Sequence, residues 1–222
     1  MPTIKAGEIA GEVSQKLFDS TQVRWPPEEL LKELSNAQRS IVGRVRAAYA
    51  KNEIIDLVAG TKQSIPAGGE MFLKAIRNMG SDKNTPGIVP RRIPVSTMDN
   101  NSPDWHEHTP SATVKNVVYD LADPKTFYVH PPQPSSNRGS LQILYSASPP
   151  ELTDENDVIG LDDTWKEELF HFVMARCLAK QSGEGDPEGA SVYWKLFIEG
   201  VEAKKAGYQF ASPAQFAEML DK

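Results

Sequence analysis

The chain has 222 residues, of which 39% are hydrophobic and 24% charged, and a formal net charge of −6. That length holds one medium domain, or a domain with an appended lobe, and the acidic balance argues against a surface dedicated to gripping nucleic-acid phosphates. One cysteine excludes an internal disulfide framework and fits a reducing compartment; no apolar run is long enough to span a bilayer, and the N-terminus lacks a signal core.

Residues 7–18 form a short amphipathic helix in this reading, with Ile9, Val13 and Leu17 four apart. It either packs on the body or orders only on a partner. Trp25-Pro-Pro-Glu-Glu is a clear helix start, because prolines are tolerated where the first N–H groups have no intrahelical acceptor, and Glu28 and Glu29 favour the positive end of the helix dipole. Leu30, Leu34, Ala37, Ile41, Val45 and Ala48 then recur at helical spacing, which predicts a helix over 27–51. Its outer face carries Lys32, Glu33, Arg39, Arg44 and Arg46.

Ile54 to Val58 suggest a strand ended by Gly60-Thr61, and Ser64 to Gly69 a short strand and turn. Met71 to Met79 satisfies neither the helical nor the strand period. Residues 80–110 are loop-rich, with room for one helical turn at Val95–Asn101. Beyond them Val117, Tyr119 and Leu121, then Phe127 and Val129, then Leu141, Ile143, Tyr145 and Ala147 alternate as three half-buried strands. Asp123-Pro124 suits the first two positions of a type I turn. The segment reads as a compact antiparallel meander with no catalytic constellation beside it.

Pro149-Pro150 and the acidic run 153–157 form a connector. Asp162 and Asp163 cap a helix to about Gln181, with Trp165, Leu169, Phe172, Val173 and Arg176 roughly along one face. After a turn at 182–188, Asp186 caps a last helix with Pro187 at its first position; Tyr193, Phe197 and Val201 lie on it beside Val192 and Leu196, and it stops near Gly207. The fold class expected is α+β: a helical bundle, made of the long N-terminal helix and a C-terminal helical hairpin, with an inserted small antiparallel β-sheet lobe. The division is residues 1–52 with 158–207 for the bundle, 53–157 for the lobe and 208–222 for a C-terminal tail.

Chemistry-bearing clusters are few. His106-Glu107-His108 has metal-ligand residue types, but the helical zinc motif needs histidines at i and i+4, and no third ligand is visible by spacing. It reads as a solvated loop, so replacing His106 and His108 together should do little. The run 154–157 lacks the glycine and glutamate of a calcium loop. Cys177 and His171 are six apart, on poorly matched helix faces, and Cys177 reads as a buried structural thiol. Gly183-Glu-Gly185 follows a helix and not a strand, so it is no phosphate loop. Arg91-Arg92, and the set Arg39, Arg44 and Arg46, read as interface or salt-bridge groups. No catalytic residue, metal or cofactor is expected. In the tail, Tyr208 and Phe210 precede Ser212-Pro213 and an apolar face of Phe216, Met219 and Leu220. The tail either folds back on its own body or inserts into a neighbouring subunit or partner.

Several segments, in order, carry a family resemblance: Trp25 to Leu31, Asn36 to Arg39 with Ile41-Val42, Leu57 to Pro66, Arg77 to Gly80, Asp123 to Val129, and Tyr145 to Pro150. Over roughly residues 20–205 the chain resembles head-to-tail adaptor (connector) proteins of tailed bacteriophages. In architecture it is similar to the tail tubular, gatekeeper-type adaptors of short-tailed phages. His171, Phe172 and Cys177 depart from the small residues usual in that family's helical pair, and the tail after 206 matches no counterpart.

The resemblance implies a virion structural protein of the tail or neck, with many copies, commonly twelve, forming a ring beneath the portal. Its implied partners are the portal protein, the tail nozzle, tail fibres, other copies of itself and double-stranded DNA passing through the lumen without sequence-specific binding. Assembly would take place in the host cytoplasm. The helix 27–51 would lie at subunit contacts through Arg39, Arg44 and Arg46, and the tail would dock a partner. A metal-dependent hydrolase using His106 and His108, and a DNA-binding accessory factor using the arginine face, are the alternatives.

Overall fold

The computed structural model describes residues 2–120, 122–180 and 185–210, the side chains of 209 and 210 excepted. In chain order the elements are helices α1 (Ala6–Lys16) and α2 (Pro27–Arg44), strands β1 (Ala50–Asp56), β2 (Gly60–Ser64), β3 (Gly69–Met79) and β4 (Arg91–Arg92), helix α3 (Val95–Asn101), strands β5 (Asn116–Val118), β6 (Thr126–Gln133) and β7 (Ser140–Ala147), and helices α4 (Lys166–Ala179) and α5 (Pro187–Phe210). They divide between two compact units, Met1–Tyr49 with Pro149–Lys222, and Ala50–Ser148.

In the first unit α1, α2, α4 and α5 enclose one core in which Ile9, Val13, Leu30, Leu34, Ile41, Trp165, Leu169, Val173, Phe197 and Val201 are buried. The acidic connector holds the start of α1, where the carbonyls of Asp157 and Glu155 accept the first N–H groups of the helix, from Ala6 (2.9 Å) and Gly7 (2.8 Å). The Asp157 carboxylate in turn accepts the Thr153 and Asp154 N–H groups, which fixes the turn. Helix α2 begins as its prolines and glutamates predict but ends at Arg44, short of 51. Val45 leaves the helical backbone (φ −127°, ψ 85°), a 3-10 turn covers Arg46–Tyr49, and the chain from Ala50 is claimed by strand pairing. Tertiary pairing overrides local helical spacing here.

Asp162 accepts the Thr164 N–H, and a 3-10 turn at Asp163–Trp165 leads into α4. Arg176 lies off the buried face and pairs with Glu33 at 3.3 Å. Asp186 caps α5 by accepting the Gly189 N–H at 2.9 Å, and α5 continues past Gly207 to Phe210. Val192 and Leu196 are exposed, so only part of the apolar set on α5 faces the core. The turn expected at 182–188 falls partly outside the described residues.

The second unit corrects the expected architecture. It holds two sheets, β1-β7-β3 and β2-β6-β5-β4, and the second is mixed because β4 runs parallel to β5. With five helices among the described residues, the protein is mixed α/β and not a helical bundle carrying one small antiparallel lobe. The meander fails for a definite reason. Strands β5 and β6 do pair antiparallel, but β7 crosses to the other sheet and lies between β1 and β3. Alternation tells which side chains face inward and nothing about which strand is the neighbour. Leu121, assigned to the meander, lies outside the described residues. The ambiguous 71–79 segment is the long strand β3, whose register against β7 shifts three times. Each bulge turns the following residues to the other face, which erases a clean period of two. The turn at Asp123-Pro124 is present, closed by Thr126 N–H on Asp123 C=O at 3.2 Å.

Candidate interface surfaces and the histidine cluster

Three buried carboxamides hold the loops of the second unit. Gln63 accepts the Val58 N–H (2.8 Å) and donates to the Val58 and Gly60 carbonyls. Asn78 donates to the carbonyls of Ile88 and Val114 and accepts the Val114 N–H. Gln133 donates to Ser111 C=O and accepts the Gly139 N–H. In the first unit Gln38 accepts the Gly160 N–H at 2.7 Å. A planar amide offers a donor and an acceptor side by side, so it completes a strand edge that no neighbouring strand reaches. Gln63, Asn78 and Gln38 lie inside segments that carry the family resemblance, where they act as loop clamps.

The histidine segment is more organised than a solvated loop. Trp105 is buried and stacks on His106 with ring centroids 3.7 Å apart, and His106 Nδ1 meets the Thr61 hydroxyl at 2.8 Å. His108 Nδ1 lies 3.0 Å from Nε2 of His130, whose Nδ1 is 3.1 Å from Asn116 Nδ2. On its other side His108 Nε2 reaches Ser102 Oγ (3.2 Å) and Asp104 Oδ1 (3.4 Å). One proton per ring satisfies the whole chain: Asn116 donates to His130, His130 to His108, and His108 to Ser102 and Asp104. Burial first, then the charges of His108 and Lys115, hold the His130 pKa below its ordinary value. Sequence reading missed His130, which is 22 positions from His108 and alternates like any strand residue. Among the described residues no group of three or more His, Cys, Asp or Glu is placed to hold a metal ion.

The remaining candidates scatter. Arg39 pairs with Glu151 at 3.7 Å, Arg44 sits over the Phe197 ring at 6.0 Å, and Arg46 lies beyond the end of α2, so the three do not form one helical face. Ile41, on the same helix, is wholly buried in its own core. Arg91 and Arg92 form the exposed strand β4, with Arg92 over the Tyr119 ring at 4.3 Å. Cys177 is buried, and desolvation first, then Glu33 and Glu29, pushes its thiol up to about 12, which makes it inert. Tyr208 is exposed on α5, its ring parallel to Trp165 at 6.2 Å. Phe210 ends that helix, its side chain outside the described residues, as are Phe216, Met219 and Leu220.

No helix among the described residues is long and apolar enough to cross a membrane. No curated protein matches the sequence. Residues 4–215 match the family model described as SU10 adaptor protein, a match that covers both units and runs past residue 206, where the sequence resemblance stopped. Spanning nearly the whole chain, and in keeping with the resemblance to phage head-to-tail adaptors, this match shows that the protein belongs to the SU10 adaptor protein family.

Proposed function

We propose that the protein is a virion structural protein that forms a ring beneath the portal, joins capsid to tail and lines the DNA exit channel. The observation that carries this reading is the adaptor-family match over residues 4–215, which takes in both compact units. The ring has twelve copies in this reading, and the β-rich second unit offers a surface to the tail nozzle or fibres. The last turn of α5 and the segment after it, through Tyr208, Phe210, Phe216, Met219 and Leu220, dock the partner, and Arg39, Arg44 and Arg46 lie at the subunit contact. The net charge of −6 supports a lumen along which DNA slides without adhering, since phosphate binding needs neutralising cations.

The test is mass by light scattering coupled to size exclusion, for the protein alone and mixed with the matching portal protein. A stoichiometric, ring-shaped particle with the portal is the expected result. A persistent monomer that ignores the portal overturns the reading.

A further inference from the structure

Helix α5 runs back along α4 and ends beside an open recess on the first unit. Tyr193 of α5 lies against Phe170 and His171 of α4, with ring centroids 6.2 and 5.9 Å apart. Further along, the Lys204 ammonium donates to the Thr164 carbonyl and the Glu168 carboxylate, and the Tyr208 ring lies parallel to Trp165 at 6.2 Å. Trp165 immediately precedes Lys166, where the recess begins. Lys166, Glu167, Phe170 and His171 of α4 form one wall of this recess of about 530 Å³, and the second half of α1, with Gln15 and Lys16, forms the other. Phe170 is only half-buried there. Lys166 pairs with Glu12 of α1, Lys16 has no ion partner among the described residues, and Glu167 is exposed to water.

The chain continues from this point with residues 211–222. Pro213 has no N–H for a helical bond and its ring crowds the preceding turn, so the sequence favours a break from α5 there. After the break, Phe216, Met219 and Leu220 recur at helical spacing, three and four apart. A segment that reverses after α5 runs in the direction of α4, between α1 and α5. With its apolar side on α4, such a helix turns Ala217 and Asp221 toward α1, where Lys16 stands.

We infer that residues 213–222 seat in the α1–α4 recess of their own copy, with Phe216, Met219 and Leu220 on α4 and Asp221 against Lys16. The length of the segment and its point of departure favour this occupant. Its tether begins at the edge of the recess, which gives it a local concentration on the order of millimolar that a free partner has to match. The seat does not depend on the adaptor reading, but its regulatory consequence rests on it: the side chains that dock the partner there cannot also lie in the recess, so docking requires their release.

The test uses the free full chain with Gln15→Cys and Ala217→Cys together, treated with a short bis-maleimide. Gln15 lines the recess, and the buried Cys177 does not compete. A cross-link joining the two peptides at monomer mass is expected, and none with either cysteine alone. Adding Phe216→Ser and Leu220→Ser should slow the cross-linking about tenfold or more, the scale of two unburied apolar side chains. No link, a link only between copies, or a rate that the serines leave unchanged overturns the seat, and none of these outcomes touches the adaptor reading. With portal added, the yield should fall in proportion to the chain bound. Full yield on the portal-bound particle overturns the release. If the chain ignores the portal, the adaptor reading fails, and the free-chain result still decides the seat.

Discussion

The Asn78 side chain and the Val114 backbone make a reciprocal pair: Asn78 Nδ2 donates to Val114 C=O and Val114 N–H donates to Asn78 Oδ1, both at 2.8 Å. A side chain thereby stands in for a missing strand, and it also holds the Ile88 carbonyl. Asn78→Ala strands the buried N–H and carbonyl of Val114, while the Ile88 carbonyl keeps the Asn78 backbone N–H, at an expected cost of about 2–4 kcal/mol. Urea unfolding measures it; a change below about 0.5 kcal/mol, the scale of ordinary surface substitutions, refutes the clamp.

Gly139 is hemmed in by backbone. A Cβ built there would lie 2.0 Å from the Ala112 carbonyl oxygen, while the Gly139 N–H already serves Gln133. Gly139→Ala must push the 111–113 segment away and is expected to cost about 2–3 kcal/mol. Thermal melts of the variant and parent decide this, and equal stability counts against the close approach.

Ile41 belongs to the core of its own copy. Ile41→Ala should destabilise the monomer by about 2–4 kcal/mol, and Ile41→Asp should prevent folding. A soluble, cooperatively melting Ile41→Asp protein that fails only in assembly would move this residue to a subunit contact.

His130 gives stability a pH dependence. Its folded pKa lies below the ordinary 6.5, so between those two values the unfolded chain binds more protons than the folded one. Stability from this group is present above about pH 6.5 and lost as pH falls through the folded pKa. Protonating His130 also places a second N–H, on Nδ1, against the Asn116 Nδ2 donor. His130→Gln should flatten the drop between pH 7 and pH 5 relative to the parent. An identical drop in both proteins removes His130 as its source. By the same contacts, replacing His106 and His108 together should loosen residues 102–110, which hydrogen exchange would report.

How far the sequence could be read follows from the range of the forces involved. Helices α2 and α4 and the cap of α5 were legible because caps, prolines and spacing are local: Pro27, Asp162 and Asp186 act within their own first turns. The end of α2 was not, because Ala50 pairs with Ser146, a partner far along the chain. Strand β3 hid behind its bulges, and β7 alternated correctly while belonging to another sheet. Of the histidine cluster, only the adjacent pair could be seen; His130 enters through folding.

The second unit leaves the first at Ala50 and returns at Ser148, and its first strand pairs Ala50 with Ser146. The two ends of this 50–148 excursion are therefore neighbours by their own hydrogen bonding, whatever happens between them. An insertion that comes back to its point of departure imposes no separation on its host. Such a module can lengthen, shorten or be exchanged for another while the helical unit keeps the same two attachment points.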